Sequence, residues 1–285
     1  MDILQELPLD QWPILQEQLK QLWPVNLPGY YALKINLKYP KLREEFRFKV
    51  YCVHDDVQNG FVGISKIKGT QDCIIFSPTG DTSKLEEAIT KTKLIDWRKR
   101  VCFNLVTSRI IKTMDIMKDL IGFRIYHVGM VKMYLLERTT EPFTDLRLPD
   151  NTYAAPVKRE HISRVDDTWP YKHADSHFYF TTLASNGLSY GLYSCNHQLI
   201  AWVFVNEYNF LSHLFCEERF RKNGYAEYVM KWAVNEQLRD GNDVYAYVEE
   251  GNKKPVALLR KLGFRAFDDS ALYFVTKNAI AKNKI

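Results

Sequence analysis

Hydrophobic positions in the second half of the chain alternate between strand-like and helical patterns. Residues 198–205 are apolar almost throughout, a pattern typical of a buried strand. In 225–239, by contrast, Tyr225, Val229 and Trp232 share one helical face, which predicts a helix that Gly241 ends. Further helices are predicted at 161–169, 176–185 and 255–262, and further strands at 188–194, 210–216, 244–248, 264–267 and 272–276, the last two around a turn at 268–270. This interleaving predicts a mixed α/β domain.

The first half of the chain has a less regular pattern. Apolar residues at helical spacing predict two short helical pieces within 4–22, which Pro8 and Pro13 divide. Strands are predicted at 30–37, 46–53, 61–67, 73–76 and 129–136, and helices at 82–90 and 95–112. Asp81 or Thr82 is the expected N-cap of the helix 82–90. This half is therefore also predicted to be α/β.

Turn-forming residues concentrate between Glu137 and Pro156, where prolines, threonines and aspartates follow one another closely. Such a stretch is typical of a linker between domains. We therefore expect a boundary near residue 150, with one domain at 1–150 and a second domain at 151–285.

Composition excludes several classes of protein. Hydrophobic residues make up 46% of the 285 residues and charged residues 26%, which is ordinary for a globular chain and argues against bulk disorder. The net charge of +5 is a mild excess that does not require a nucleic-acid partner. The basic residues of 98–112 are expected on a solvated helix face, because no nucleic-acid-binding signature accompanies them.

Targeting and redox signals favour a location inside a cell. No window of about 18 apolar residues occurs, so no membrane span is expected. Acidic residues near the N-terminus argue against a signal peptide. The five cysteines form no Cys-x-x-Cys pair, so neither a metal site nor a disulfide framework is expected. We expect reduced thiols in the cytoplasm or in mitochondria, and the sequence leaves the oligomeric state undetermined.

The segment 214–226 carries the strongest chemical signal. A strand predicted to end near Cys216 is followed by a loop with Arg221, Lys222 and Gly224 that opens the helix 225–239. Free N–H groups at a helix start, together with the helix macrodipole, form an anion site. Gly224 lets the backbone approach a phosphate closely, and the two basic side chains add positive charge. A pyrophosphate is the expected ligand, and an ordinary strand–loop–helix with a basic face is the alternative.

Two motifs in this half resemble the GNAT acyltransferase superfamily. The segment Arg221-x-x-Gly224-x-Ala226 is similar to its Arg/Gln-x-x-Gly-x-Gly/Ala acyl-CoA loop. The superfamily element Asn-x-x-Ala-x-x-Leu-Tyr-x-Lys-x-Gly-Phe is matched at Asn252, Leu258, Lys261, Gly263 and Phe264, with Pro255 at its Ala position. The resemblance covers 153–276. It implies a mixed sheet with flanking helices (a GNAT-like fold) and acetyl-CoA or another acyl-CoA as cosubstrate.

A narrower resemblance, to the glycine N-acyltransferase-like proteins, extends over most of the chain. Leu27-Pro28 followed by predicted strands, and the segment 94–97 before a helix, are similar to their N-terminal half. The segment 244–249 together with Asn252 is similar to their late strand. This resemblance implies that 1–150 is a diverged, acyl-CoA-free counterpart of the same fold.

The superfamily resemblance implies a set of cofactor-binding residues. Main-chain groups near Leu214 and Cys216 pair with the pantetheine arm, the amides of 221–226 hold the pyrophosphate, and Asn252 lies beside the pantetheine. The cofactor-binding candidates are Leu214, Phe215, Cys216, Arg221, Lys222, Asn223, Gly224, Tyr225, Ala226 and Asn252.

The usual acid and base of these families are missing at the matching positions. Leu259 stands where the superfamily often has a Tyr general acid, and Phe210 stands where glycine N-acyltransferases have a strand Glu. His213 is the candidate base because its ordinary pKa is near neutrality, and Glu249 is a candidate acting through water. Alternatively, His213 only contacts a strand neighbour, and Glu249 is a solvated charge. Cys216 is expected as a buried small hydrophobe and not as a nucleophile.

The resemblance implies an acyl-CoA-dependent N-acyltransferase acting on the amine of a small acceptor, such as glycine or another amino acid. Direct attack in a ternary complex needs mainly orientation from the protein. An arylalkylamine or polyamine N-acetyltransferase is one alternative, with the aromatic residues of 169–180 as its acceptor pocket, although core packing explains these residues equally well. A catalytically silent acyl-CoA-binding protein is the other, because the usual acid and carboxylate are missing.

Overall fold

Helices and strands interleave along the whole chain in the computed structural model, which describes residues 2–278. The chain divides into two units. Residues 2–131 together with 269–278 form unit 1, and Lys132–Asp268 forms unit 2. The mixed α/β class predicted from the sequence is confirmed. The functional division into 1–150 and 151–285 stays a prediction, since the structural units divide the chain at other positions.

In unit 1, three α-helices follow the first strand, three strands come next, and helices and strands then alternate. They are β1 (Leu4–Glu6), α1 (Trp12–Leu19), α2 (Leu27–Lys38), α3 (Pro40–Phe46), β2 (Lys49–Val53), β3 (Phe61–Ile67), β4 (Thr70–Phe76), α4 (Ser83–Lys91), β5 (Arg100–Val106), α5 (Ser108–Ile121) and the first part of β6 (Phe123–Leu136). Unit 2 continues with the rest of β6, β7 (Thr152–Ala155), α6 (Ile162–Asp167), α7 (Ser176–Ser185), β8 (Ser189–Ser194), β9 (Leu199–Val205), β10 (Leu211–Cys216), α8 (Tyr225–Arg239), β11 (Val244–Glu249), α9 (Lys253–Lys261) and the start of β12 (Arg265–Asn278).

The sheet of unit 1 begins with four antiparallel neighbours in chain order, β1 to β4. Strand β5 then lies parallel to β4, with ladder partners from Thr70↔Arg100 to Ile74↔Asn104. The end of β12 pairs antiparallel with β5. Buried side chains of α4 and α5, among them Ile89 and Met114, pack with strand residues such as Phe103 to form the core.

The sheet of unit 2 has antiparallel neighbours from β7 to β10 and a parallel pair, β10 and β11. Every residue of β9 is buried, as its uninterrupted apolar sequence predicted. Trp202 and Phe204 of β9 and Tyr245 of β11 are among the largest fully buried side chains. These strands are the scaffold on which the loop after β10 is held.

Several predicted elements are confirmed. Helices α7 and α8 have the predicted bounds, 176–185 and 225–239. Thr82 is the N-cap residue of α4, and the Asp81 carboxylate accepts a hydrogen bond from the main-chain N–H of Ser83.

Two predictions in the first half are wrong. Residues 30–37 form part of helix α2 and not a strand. Eight of its residues, starting with Leu27 and Pro28, are buried, so the helix lacks the polar stripe that would have identified it. Residues 95–112, predicted as one helix, contain strand β5, and α5 begins only after the N-cap Thr107. A strand buried between β4 and β12 shows no clean alternation in its sequence.

Three further boundaries differ from the prediction. The segment 4–22 starts with strand β1, and Pro13 lies in the first turn of α1, where proline is well tolerated, instead of dividing a helix. Phe46 ends α3, so the predicted strand 46–53 is shortened to β2. Strand β12 runs without a break through the predicted turn at 268–270.

The predicted linker lies within unit 2 as a segment held along α8. The side chain of Asn235, which is buried, accepts a hydrogen bond from Phe143 N (2.8 Å) and donates one to Phe143 O (2.9 Å). Lys231 of the same helix forms an ion pair with Asp145 at 2.7 Å. The turn-forming composition of this segment therefore reflects an irregular stretch that packs on a helix, not an unattached connection.

Candidate functional site

Strand β10 contains a bulge close to its midpoint. Its register with β9 shifts between Ser212 and Phe215, and His213 has a φ of 47°, in the left-handed region. The parallel ladder with β11 is recorded at Leu211↔Ala246, before the bulge. After Leu211↔Ala246, β10 and β11 share no further ladder partners within the described residues. Main-chain groups near Leu214 are thus positioned for a strand-like ligand on the β11 side.

The loop after β10 is fixed by its own polar contacts. The Nε–H of Arg221 donates to the carbonyl of Cys216 at 3.1 Å, and its guanidinium lies over the Phe215 ring at 5.6 Å. The side-chain amide of Asn223 donates to the carbonyls of Phe220 and Arg221. These contacts hold the main chain of the loop in one conformation.

The start of α8 presents an open set of donors. Gly224 is its N-cap residue, with a φ of 79°, and it has no side chain to cap the helix. The first main-chain bond at the helix start runs from Tyr228 N to Gly224 O. In the part of the chain that the structure describes, the N–H groups from Lys222 to Glu227 have no acceptor. A Cβ built at Gly224 meets nothing within 4 Å, so a ligand can approach these donors.

Acidic side chains near this helix start are already paired. Glu227 contacts Lys261 at 2.5 Å and Lys231 at 3.2 Å, and the hydrogen bond from Lys261 lowers the pKa of its carboxyl. Lys222, in the loop itself, is exposed and has no ion pair within residues 2–278. The net effect is a positive surface at the donor N–H groups.

His213 is enclosed by aromatic rings. Its ring centroid lies 5.0 Å from that of Phe180 and 6.1 Å from that of Trp202. The Nε2–H donates to the main-chain carbonyl of Val165 at 2.9 Å, which leaves Nδ1 as the nitrogen that can accept a proton. Burial lowers the pKa of His213 to about 4, so the ring is neutral at pH 7. The near-neutral pKa on which its assignment as base rested is therefore absent, and a catalytic role for His213 stays a prediction.

Helix α6 is attached to both sides of this site. In addition to the hydrogen bond between Val165 and His213, Arg164 forms a bidentate ion pair with Glu217, with Nε–Oε1 at 2.6 Å and Nη2–Oε2 at 2.7 Å. The hydrogen bond to Glu217 raises the pKa of Arg164. Glu217 directly follows β10 and precedes the loop. Helix α6 therefore fixes the position of the bulge relative to the loop. Sequence reasoning missed this pair, because no spacing rule links residues so far apart in the chain.

A group of aromatic side chains extends from His213 along α7. We call Trp169, Tyr179 and Phe180 the aromatic cluster. The rings of Trp169 and Tyr179 stack at 5.9 Å with an interplanar angle of 9°, and Phe180 contacts both of them edge-on. The Tyr179 hydroxyl donates to a carboxylate oxygen of Glu207, a buried residue of the β9–β10 turn, at 2.6 Å. The sequence predicts residues 169–180 as an acceptor pocket or as core, and it gives no signal for Glu207.

The other predicted site residues lie at the ends of neighbouring elements. Glu249 is the last residue of β11 and is half-buried, and the main-chain N–H of the exposed Asn252 donates to its carbonyl at 3.1 Å. Burial raises the pKa of the Cys216 thiol, which does not suit a nucleophile. Leu259, where the superfamily often has a Tyr, is buried in the core. The structure thus brings the loop residues Arg221–Ala226 together at one helix start.

The matching strand–loop–helix of unit 1, β4 to α4, differs in two respects. Its parallel ladder with β5 continues from Thr70 to Ile74 without an opening. The Asp81 carboxylate accepts the Ser83 N–H at 3.0 Å at the helix start, where an anionic ligand would otherwise bind. At this position of unit 1, one helix-start donor is therefore already bonded to a carboxylate, in contrast to the start of α8.

A metal-binding cluster and a membrane-spanning helix are both absent from residues 2–278. Within that range, no three His, Cys, Asp or Glu side chains are grouped as a metal ion would require. None of the helices there is long and apolar enough to cross a membrane.

Comparison with known proteins gives two family matches. Residues 189–275 match the family model described as FR47-like protein. Residues 3–117 match a domain of unknown function, DUF5645. No curated protein matches the chain in sequence.

Solved structures match over the whole chain. A Drosophila protein determined by a structural genomics consortium has a TM-score of 0.85 at 19% identity, covering 98% of this chain and 99% of that one. A tandem GNAT protein from the clavulanic acid biosynthesis pathway has a TM-score of 0.53 at 12% identity, covering 97% and 98%. A GCN5-related N-acetyltransferase from Kribbella flavida has a TM-score of 0.53 at 10% identity, covering 87% and 95%.

The chain has a tandem GNAT-like fold. The FR47-like match adds sequence support for the GNAT superfamily over the part of unit 2 that contains β10, the loop and α8. The narrower resemblance to the glycine N-acyltransferase-like proteins is not confirmed by these matches and stays a prediction.

Proposed function

We propose that unit 2 is an acyl-CoA-dependent N-acyltransferase that moves an acetyl or other acyl group to the amine of a small acceptor. One observation carries this proposal: the uncapped start of α8, with its donors from Lys222 to Glu227, directly follows a bulged strand that separates from β11. A strand-like arm that ends in a pyrophosphate matches both features, and the pantetheine and diphosphate of CoA have that form.

In this proposal the pyrophosphate binds the main-chain N–H groups at the start of α8. Lys222 adds charge, and Gly224 leaves room for the phosphate oxygens. Arg221 acts mainly by holding the end of β10, through its bond to the Cys216 carbonyl. The pantetheine arm then lies beside Leu214 and Phe215, which brings the thioester to the bulge. Asn252, at the start of α9, is the predicted neighbour of the arm.

The reaction requires little covalent help from the protein. The neutral amine attacks the thioester carbon, the C–S bond breaks, and CoA leaves as a thiolate that takes up a proton. Main-chain N–H groups near Cys216 would stabilise the oxyanion. Because His213 is neutral with a pKa of about 4, it is a weak base at pH 7. We therefore propose that Glu249, at the end of β11, removes the amine proton through a bridging water molecule.

Unit 1 fits a diverged counterpart that does not bind acyl-CoA. The closed β4–β5 ladder and the Asp81 carboxylate at the start of α4 support this assignment. A carboxylate at this position would repel a pyrophosphate, so binding of one CoA per chain is expected.

The proposal is tested by turnover. Purified protein is incubated with acetyl-CoA and acceptors that include glycine, other amino acids, aryl amines and polyamines, and release of free CoA thiol is followed. We expect acceptor-dependent release above the uncatalysed rate, and its loss in the Gly224→Glu variant. Release at the uncatalysed rate with every acceptor, while acetyl-CoA still binds, would instead indicate the silent acyl-CoA-binding alternative.

A further inference from the structure

We propose that the chain forms a twofold symmetric dimer in which helix α5 of unit 1 packs antiparallel on α5 of a second copy. Three features of α5 point to this arrangement: an exposed apolar stripe, two unpaired charges of opposite sign beside it, and a carboxylate at the unfavourable end of the helix. This dimer is independent of the acyl-CoA site proposed for unit 2.

The apolar stripe lies on the outer face of α5. Met114 and Met117 are buried in the core of unit 1, whereas Ile116 is 73% exposed and Leu120 is 84% exposed. Residues four positions apart are neighbours on a helix surface, so the two exposed side chains form one continuous stripe. Adjacent aliphatic side chains with this much exposure indicate a surface that contacts another protein.

Two charged residues on the same face flank Ile116. Lys112 lies about one turn before it and Asp119 about one turn after it. Both side chains are exposed, and neither forms an ion pair within residues 2–278. The neighbouring charges of α5 are already paired at 2.6 Å, as Arg109–Glu86 and Lys118–Asp115. Lys112 and Asp119 are therefore the charges of this face that a partner can pair.

An antiparallel pair of α5 helices satisfies both charges. A twofold axis midway between Lys112 and Asp119 passes beside Ile116, which then packs against Ile116 of the partner subunit. The same operation brings Lys112 to Asp119 of the partner subunit, and symmetry makes this contact twice. Parallel helices would instead oppose Lys112 to Lys112 of the partner subunit, which is unfavourable. Charge complementarity thus selects a second copy in antiparallel orientation as the occupant.

The position of Asp119 within α5 favours the same arrangement. Asp119 lies in the last turn of the helix, which ends at Ile121, and the negative end of the macrodipole makes a carboxylate unfavourable there. A lysine from the partner subunit would offset this repulsion. The helix has 14 residues and is about 21 Å long, so one helix pair gives a small interface. We therefore expect a dimer that dissociates in the micromolar range.

Sedimentation equilibrium of the full chain across the micromolar range tests the inference. We expect a monomer–dimer equilibrium for wild type. Ile116→Glu places two carboxylates at the centre of the interface and should abolish the dimer. Ile14→Glu, at an isoleucine of α1 that is 55% exposed, is the matched control and should keep the wild-type Kd. A wild type that stays monomeric, or a dimer that Ile116→Glu leaves intact, would overturn the inference.

Charge reversals test the antiparallel orientation. Lys112→Glu alone opposes carboxylates at both symmetric contacts, and Asp119→Lys alone opposes ammonium groups, so each should raise the Kd of dimerisation about 10-fold. An equimolar mixture of the two variants should associate nearly as tightly as wild type, because each contact of the mixed dimer joins opposite charges. Both positions are exposed, so the variants should keep the fold, which circular dichroism checks. A mixture that associates no more tightly than the single variants would refute the pairing of Lys112 with Asp119.

Discussion

The Nε2–H of His213 donates a hydrogen bond to the main-chain carbonyl of Val165 across 2.9 Å. This bond joins the bulge of β10 to helix α6 and fixes which ring nitrogen carries the proton in the neutral form. A protonated His213 keeps this bond, yet it also places a charge among the rings of Phe180, Trp202 and Phe204. The bond therefore positions a neutral ring, and protonation of His213 in acid destabilises the folded protein.

We expect the stability of unit 2 to fall in acid because of His213. Its pKa is about 4 in the folded protein and about 6.5 in the unfolded chain, so the unfolded state takes up the proton first as the pH falls. The destabilisation is absent above pH 6.5 and complete below pH 4. Between those values the free energy of unfolding should fall by roughly 1 kcal/mol per pH unit through this residue.

The measurement is urea denaturation of His213→Gln and wild type from pH 7.5 to pH 4.5. The variant can still donate to Val165, and it should show a shallower acid slope. His177→Gln, at an exposed histidine of α7, is the control and should keep the wild-type slope. Parallel slopes for wild type and His213→Gln would mean that His213 is not buried as a neutral ring.

The ion pair between Arg164 and Glu217 is expected to stabilise the attachment of α6 to the end of β10. Its two short bonds and the limited exposure of Glu217, 15% for the side chain, distinguish it from ordinary surface pairs. A double-mutant cycle with Arg164→Met and Glu217→Gln should give a coupling free energy of about 1 kcal/mol. The same cycle at Arg239 and Glu236, 60% and 40% exposed, should give less than about 0.5 kcal/mol. Equal couplings would contradict the structural role assigned to the first pair.

Asn235 is expected to hold the segment before β7 onto α8. Its buried amide exchanges two hydrogen bonds with the main chain of Phe143, and Asn235→Ala leaves both of those backbone groups without a partner. We expect a loss of about 2 kcal/mol in the free energy of unfolding, measured in urea. Asn196→Ala, in the exposed turn after β8, is the control and should lie within about 0.5 kcal/mol of wild type. A neutral Asn235→Ala would show that the segment is held by other contacts.

We expect Trp202→Phe to be less destabilising than the same substitution at a tryptophan whose indole N–H is hydrogen-bonded. This N–H is buried and has no hydrogen-bond partner in the described part of the chain. Because burial of an unpaired donor is unfavourable, Trp202→Phe should lose only the free energy of the removed ring volume and no hydrogen bond. Trp12 offers a contrast, since its equally buried N–H donates to Leu7 O at 3.1 Å. Trp12→Phe should therefore cost about 1 kcal/mol more, and the reverse order would show that Trp202 has a partner.

Sequence reasoning succeeded where local signals and the final structure agree. Helix α8 has its predicted bounds because Gly224 and Gly241 both adopt positive φ at its two ends. It failed where burial removes the polar face of an element. Helix α2 was predicted as a strand, although Pro28 in its first turn is a helix-start signal. Strand β5 was hidden in a predicted helix because its identity depends on neighbours far away in the sequence.

The candidate site shows the same limit. The loop residues from Arg221 to Ala226 were predicted together, because a phosphate loop is local in sequence. The side-chain contacts on the α6–α7 side of the site were only partly predicted, since Glu207, Arg164 and Glu217 meet their partners through the fold. The low pKa of His213 also depends on four rings from three separate segments, which no spacing rule would bring together.

Thermal melting with CoA and acetyl-CoA tests the central claim most directly. The comparison is between wild type, Gly224→Glu and Gly241→Glu, which places the same residue at positive φ and in open space at the other end of α8. At about 100 times its Kd, a ligand should stabilise wild type and Gly241→Glu by about 2.7 kcal/mol, a shift of a few degrees. Gly224→Glu should show no shift. An equal shift in all three proteins, or none in wild type, would contradict the assignment of the CoA site to the start of α8.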